Sequence, residues 1–289
     1  MTATNQRALL RKGTTATSAA APAEASRPHR VVGLGRRLNA LIGIAVLVIV
    51  WEGAPRLGLI DAKAFPPLSA VLGELGRLVT TGEFWGYVAS TARTWALGLL
   101  VASVAGIVIG LLIGLIPGAQ KYTHSLIEFL RPIPSVALIP AVILIFGTKY
   151  QSGIVLITYA AFWPLLLQVL FGLDDIDTVA KDTAKTFRFT RFGYIRSVVW
   201  PSLLPHLFTG LRLAASTALV LAVTGEMVIG TVGIGQGIAI AQTSGSVTTM
   251  YALVVVAGIL GVLINVVARI AERRTLWWHA SVRNLEKKG

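Results

Sequence analysis

Apolar stretches of about 20 residues, the length a helix needs to cross the hydrocarbon core of a bilayer, recur along the chain between short polar segments. The first apolar run starts at Leu38 and continues to Trp51. Nothing is charged between Arg93 and Lys121, which predicts a second span over 93–116, closed by the Pro117-Gly118 turn. A third span fits 126–146, and a fourth fits 152–172 before Asp174-Asp175. A fifth fits 205–229, and a sixth fits 250–271, ending among Arg269, Glu272, Arg273 and Arg274. The pattern predicts an all-α integral membrane protein with six transmembrane helices over 38–272 and a C-terminal tail, 273–289. Residues 1–37 are rich in Ala, Thr and Ser, carry one acid (Glu24) among several basic residues and show no apolar period. They read as a disordered basic tail. The long polar lead, with no small-x-small site after the first run, predicts an uncleaved first span rather than a removable leader.

Composition supports this. Apolar residues make up 54% and charged residues 13%, about half the usual quarter of a soluble protein, and the mean hydropathy is +0.72. A soluble fold of this size cannot cover itself with so little charge. The net charge of +13 sorts by side. With the N-terminus inside, the segments 1–37, 117–125, 174–202 and 269–289 hold 19 Lys/Arg, and the opposite segments hold 4. That bias follows the positive-inside rule and predicts both termini in the cytoplasm. The basic excess is therefore topological and not a nucleic-acid footprint, although the tail could also touch anionic membrane lipid. The chain has no cysteine and only four scattered histidines, so no metal or other cofactor is expected.

Catalytic patterns are absent. There is no G-x-x-x-x-G-K-[ST], so the chain does not itself cradle ATP, and no H-E-x-x-H, no G-x-S-x-G and no paired intramembrane carboxylates. The Gly-rich stretch 230–237 (GTVGIGQG) follows a span and reads as a flexible outer loop. Arg93, Glu128, Arg131, Arg212 and Glu226 fall near the ends of predicted spans, where snorkelling to the interface anchors such groups. Midplane carboxylates are missing, which disfavours a proton-driven secondary transporter. Pro132, Pro134 and Pro140 each remove a backbone donor, and the freed carbonyls need partners inside a membrane. The third span is therefore expected to break near its inner end and line a path; a kinked peripheral helix is the alternative.

Segment 174–202 is amphipathic. Val179, Thr183 and Thr186-Phe187 recur at helical spacing, with Lys181, Asp182 and Lys185 on other faces. Thr190 is placed to cap a second short helix carrying Tyr194, Ile195, Val198 and Val199, and Pro201 and Pro205 are expected to reset the direction into the fifth span. A helical hairpin under the membrane reads equally as a docking surface for a cytoplasmic partner and as an ordinary interfacial loop.

This segment resembles the coupling loop of ABC-importer membrane subunits, roughly E-A-A-x-x-x-G followed by I-x-L-P. Asp182-Thr183-Ala184 stand at its start, Arg188 where glycine is usual, Thr190 at the common Ser, and Val198 to Pro201 at its close. The string Arg131-Pro132-Ile133-Pro134 through Pro140, ending at Phe146-Gly147, resembles the third-span motif of permeases for nitrate, sulfonate, taurine and related organic anions. Gly225-Glu226-Met227 followed by Gly233-Ile234-Gly235 is similar to that family's fifth-span end and outer loop. Together the matches cover about residues 85–272.

The resemblance implies a type I ABC importer permease in the bacterial inner membrane. It would work as a homodimer with two copies of a separate ABC ATPase and an extracytoplasmic solute-binding protein, and would itself be no enzyme. Coupling to the ATPase would fall on Asp182, Thr183, Ala184, Arg188 and Pro201, with Ala184 entering a groove of the ATPase. The path or gate would fall on Arg131, Pro132, Pro134, Pro140 and Glu226. The implied solute is a small anion such as a sulfonate, taurine or nitrate; thiamine or pyrimidine precursors are the alternative within the same architecture. A secondary transporter or channel is the competing class. The weakened D-T-A start and the arginine at 188 depart from the pattern, and Gly193 is the only nearby glycine that could make the turn instead.

Overall fold

The computed structural model describes residues 32–276, and within them every regular element is helical. Of the expected tails, 1–37 and 273–289, residues 1–31 and 277–289 lie outside the described residues. The chain divides into a short unit ending at Ile42 and a large one from Gly43 onward. Of the short unit, the described part is the start of α1 (Val32–Arg56), which opens before the expected boundary at Leu38.

Within the large unit, α1 ends on an aromatic cluster. The Trp51 ring lies 5.5 Å from Phe65 and 6.4 Å from Tyr251, and its indole N–H donates to the Pro66 carbonyl at 3.2 Å. Helix α2 (Leu68–Leu78) has no side-chain cap of its own. Glu52 supplies one from α1, accepting from the Ser69 N–H and hydroxyl, each at 2.9 Å. On α2, a hydrogen bond from Arg77 holds the Glu74 carboxyl below its ordinary range, and the Thr249 hydroxyl donates to the same group at 2.7 Å.

The centre is built from α3 (Gly82–Leu115), α6 (Tyr150–Asp174) and α9 (Trp200–Ile229). On α3, Gly98, Ala102, Gly106, Gly110 and Gly114 fall every fourth residue, so all five lie along one ridge. Gly98 faces Ile157, Gly106 faces Leu165, Gly110 faces Val169 and Gly114 faces Leu173. The constant offset means that α3 and α6 run parallel. Lipid tails are as apolar as leucine, so membrane helices associate through close packing, which small residues permit. Helix α9 meets the other side of α6 in the same manner but antiparallel. Gly210 lies against Gln168, and Ala214, Ala218 and Ala222 pack with Ile157, Ala160 and Ala161. Trp95 links the outer pair, donating to the Ala215 carbonyl at 2.9 Å.

The expected third span is interrupted. Helix α4 (Ala119–Leu130) stops at the proline string, and a 3₁₀ turn (Ser135–Leu138) with α5 (Ile139–Phe146) leaves at 79° to it. Pro134 has no N–H to offer the Leu130 carbonyl; that carbonyl accepts instead from the Ile133 N–H at 3.2 Å and from the Tyr159 hydroxyl of α6 at 2.7 Å. Pro140 sits in the first turn of α5, where no donor is needed.

One other expectation is corrected. Pro201 and Pro205 do not redirect the chain. Helix α8 (Arg191–Tyr194), a π-helical turn (Ile195–Val199) and α9 run on as one 39-residue rod. The missing Pro201 donor is absorbed by the wider turn, in which the Trp200 N–H reaches the Ile195 carbonyl. Four helices among the described residues are long and apolar enough to cross a membrane, and the bent pair makes a fifth. The first expected span falls on α1, whose Ile44, Leu47 and Ile49 are exposed as a lipid-facing surface requires.

The α3–α6 ridge leaves no room for a side chain. A Cβ at Gly110 would lie 2.7 Å from a Val169 methyl, whereas one at Gly258 on α11 (Val247–Thr275) meets nothing within 4 Å. Gly110→Ala is therefore expected to cost about 1–3 kcal/mol through overpacking, and Gly258→Ala to be neutral or stabilising. Thermal unfolding of the two variants in detergent compares them directly.

Candidate functional site

Glu226 does not snorkel. It is 3% exposed near the end of α9, and three segments close over it. Its Oε2 accepts from the Thr91 hydroxyl of α3 at 2.9 Å and from the Gly235 N–H at 3.0 Å. The Thr91 oxygen in turn accepts from the Ile234 N–H at 2.9 Å. Those two N–H groups open α10 (Ile234–Thr243), whose N-cap, Gly233, has no side chain to satisfy them. Glu226 and Thr91 together therefore act as the missing cap, and a carboxylate at a helix amino end also meets the positive end of its dipole. Gly233 is required because a Cβ there would overlap the Glu226 carboxyl.

The stretch 230–237 is thus a packed turn and not a flexible loop. Gly230 turns with φ of 80°, and Ile234, Gly235 and Gly237 are buried. Helix α10 ends in a Schellman motif: Gly245, at φ of 71°, precedes Ser246, whose N–H reaches the Ala241 carbonyl at 2.9 Å.

The remaining path candidates lie elsewhere. Arg131 and Pro132 line a cavity of about 680 Å³ between α4 and the carboxyl end of α6, together with His124, Glu128 and Asp174. Pro134 and Pro140 are exposed along the break and do not line it. The resemblance grouped these residues with Glu226 as path or gate; in the structure they stand apart, with Glu226 at the amino end of α6 and Arg131 towards its other end, as the opposite ends expected for them require.

The amphipathic segment forms the expected hairpin. Helix α7 (Thr178–Thr186) is capped by Asp177, whose side chain accepts from Val179 N–H at 2.9 Å. Thr190 caps α8 by accepting from Gly193 N–H at 3.1 Å. Arg188 sits where a glycine is usual and takes the glycine conformation, φ of 48°, as C′ of a Schellman motif. The Phe189 N–H bonds the Ala184 carbonyl and the Arg188 N–H bonds the Lys185 carbonyl, each at 3.0 Å. Gly193 lies inside α8 and takes no part in the turn. Asp182 is tied to Lys185 at 3.2 Å, and Thr183 and Pro201 are exposed.

Ala184 corrects the expectation of an outward-facing contact. It is 5% exposed, folded inward beside Phe189 and Tyr194. The most exposed apolar side chains of the hairpin are Val179, Phe187 and Phe192, with Phe189 partly exposed beside them. Among the described residues, no group of His, Asp and Glu could hold a metal ion.

A helical bundle with a broken span, an amphipathic hairpin at one end and a short carboxylate-capped helix at the other has the make-up of a membrane permease subunit. Residues 102–276 match the family described as binding-protein-dependent transport system inner membrane component, and the chain belongs to that family. It is similar to the putative aliphatic sulfonates transport permease protein SsuC of Bacillus subtilis, at 27% identity over 84% of this chain and 88% of that one. The taurine transport system permease protein TauC of Escherichia coli is 29% identical over 86% and 93%. The nitrate import permease protein NrtB of Leptolyngbya laminosa is 32% identical over 66% and 69%. Among solved structures, a chain of the MetNI methionine ABC transporter shares the fold with a TM-score of 0.54 at 24% identity, over 66% of this chain and 96% of that one.

The cap makes a prediction. Thr91→Val keeps the shape of the side chain but strands the Ile234 N–H and leaves Glu226 one donor short. Each unsatisfied buried group costs about 1–3 kcal/mol. Amide hydrogen exchange over 234–237 is expected to accelerate at least tenfold in this variant, with α6 unaffected.

Proposed function

We propose that two copies of this chain form the membrane path of an ATP-driven importer for a small solute carrying a singly charged oxyanion headgroup. A separate ABC ATPase supplies the energy and an external solute-binding protein supplies the substrate. Relatives named for aliphatic sulfonates, taurine, nitrate and bicarbonate support the substrate class; what these solutes share is a compact headgroup of oxygens carrying negative charge.

The observation that carries the coupling role is the exposed apolar edge of the hairpin, Val179, Phe187 and Phe192, on a segment too polar to enter lipid. Asp182, Thr183 and the left-handed Arg188 shape that edge. Ala184 sets how closely α7 approaches the rod behind it, and Pro201 marks the rod's wider turn. ATPase closure would push on the hairpin, and the rod from Arg191 to Ile229 would carry the displacement. At 1.5 Å per residue its 39 residues reach roughly 58 Å. Its far end holds Glu226 and hence α10, so a movement begun at the hairpin reaches the opposite end of the bundle, where access would be gated. Arg131, Pro132, Pro134 and Pro140 would line the path where the third span breaks.

Docking through the aromatic edge is tested by Phe187→Asp and Phe192→Asp. Both side chains are exposed, so the permease should remain folded. A penalty of about 2.7 kcal/mol in docking would weaken retention of the ATPase on purification about a hundredfold, with loss of ATP-driven uptake. Arg188→Gly relieves a left-handed arginine, and its expected effect is intact assembly with a melting temperature equal to or above that of the native chain. Co-purification of both aspartate variants at native levels would remove the hairpin from the coupling role.

The orientation follows from the 19-to-4 division of Lys/Arg. The chain has no cysteine, so single-cysteine labelling has no background. An impermeant maleimide added outside intact cells should label Ser244→Cys and spare Lys185→Cys; the reverse pattern would invert the topology.

A further inference from the structure

At the amino end of α6, three segments enclose a pocket of about 340 Å³ that the clamp around Glu226 does not use. Ser90, Arg93 and Thr94 come from α3, Thr148 and Tyr150 from the link into α6, and Thr231 from the turn after α9. No acid lines it. The Arg93 guanidinium lies over the Tyr150 ring, 5.4 Å from its centroid. A ring face steadies the cation without using its N–H groups, which stay free to donate.

Thr94 and Thr231 are only 7% and 9% exposed, yet neither hydroxyl is hydrogen-bonded among the described residues. Neither oxygen is among the fully buried polar atoms left without a partner, so both open onto the pocket. The Thr94 methyl sits against Gly153, where a Cβ would be 3.0 Å away, which turns the hydroxyl from α6 toward the pocket. Ser90 is already committed, donating to the Val232 carbonyl at 2.7 Å, and holds the turn that carries Thr231. The 25-residue α6 begins here with no side chain capping its first N–H groups, so the positive end of its dipole faces the same space.

The geometry points to a binding subsite for the oxyanion headgroup of the transported solute, with Arg93 as counter-charge and Thr94 and Thr231 as hydroxyl donors. The inference rests on the proposed import of such anions and on the outward orientation of this end. It gives the pocket a specific task. An anion released at the mouth of a low-dielectric bundle loses water, and an arginine held on a ring with unpartnered hydroxyls beside it replaces those hydrogen bonds before the path opens. Affinity there must stay modest, since a tight subsite would hold the solute back.

The test uses the permease–ATPase complex in lipid nanodiscs, titrated calorimetrically with methanesulfonate and with nitrate, and with tetramethylammonium as the cationic control. The native complex should bind both anions saturably and the cation not at all. Arg93→Gln should weaken anion binding at least tenfold, Arg93→Lys less, and Thr94→Val severalfold. Because Thr94→Val is isosteric and Arg93 is exposed, unchanged melting temperatures would separate lost binding from lost folding. Absence of saturable anion binding to the native complex, or native affinity in both Arg93→Gln and Thr94→Val, overturns the subsite. ATP-driven uptake into proteoliposomes supplied with the binding protein tests the underlying reading separately. Import of a sulfonate or nitrate with unchanged KM in Arg93→Gln would leave anion import standing and remove the pocket from it. Import only of solutes that lack an oxyanion headgroup would overturn the substrate class and with it the pocket's assignment to a transported solute.

Discussion

Helices in a bilayer are not drawn together by the hydrophobic effect, because the lipid is as apolar as they are. What holds α3 against α6 is the absence of side chains along one ridge, where glycine or alanine recurs every fourth residue from Gly98 to Gly114. The backbones approach until Ile157, Leu165, Val169 and Leu173 fill the gaps. The other features depend on that approach. It sets Thr91, two turns before the ridge, beside the end of α9, and it brings Arg93 and Thr94 to the amino end of α6. The alanine ridge of α9 fixes the third helix by the same means. The buried polar side chains are placed by a scaffold of small apolar residues.

Within this scaffold, irregular backbone occurs where a partner has been supplied. The carbonyl freed by Pro134 is met by Tyr159, and the donors at the start of α10 are met by Glu226 and Thr91. The donor missing at Pro201 is taken up by a π-helical turn. Each solution keeps a break in the helix ladder from exposing unsatisfied groups to lipid. The Tyr159 and Glu226 contacts reach across to a different helix, which makes the broken elements dependent on their neighbours. A break of this kind can change conformation only if the partner moves with it.

Features set by local chemistry were legible in the sequence. Uncharged runs located the spans, Pro134 forecast the break, and Thr190 forecast a helix start. The early start of α3 at Gly82 was missed because Glu83 and Arg93 made that stretch look like a loop, although Thr81 caps it by accepting from Phe84 N–H. The small-residue ridge was present in the sequence too, as a period of four in Gly and Ala, and would have signalled the α3–α6 contact. Glu226 was misplaced because its hydroxyl partner stands 135 residues earlier, a separation at which no pattern along the chain indicates contact. Ala184 was misjudged for a related reason. A small residue on a short amphipathic helix suits an inserted contact and an intramolecular one equally, and only the position of Tyr194 decides between them.

Arg188 shows how a departure from a family pattern can leave geometry intact. The turn after α7 needs a residue at positive φ because the Schellman bonds to Ala184 and Lys185 close only in that conformation. An arginine there is strained by of order 1–3 kcal/mol relative to a relaxed backbone. The strain is tolerated because both flanking helices are independently capped, by Asp177 and by Thr190. Since the two caps fix the ends, the turn is over-determined, and the hairpin keeps its shape despite an unfavourable residue at its apex. The strain then lies between α7 and the start of the rod.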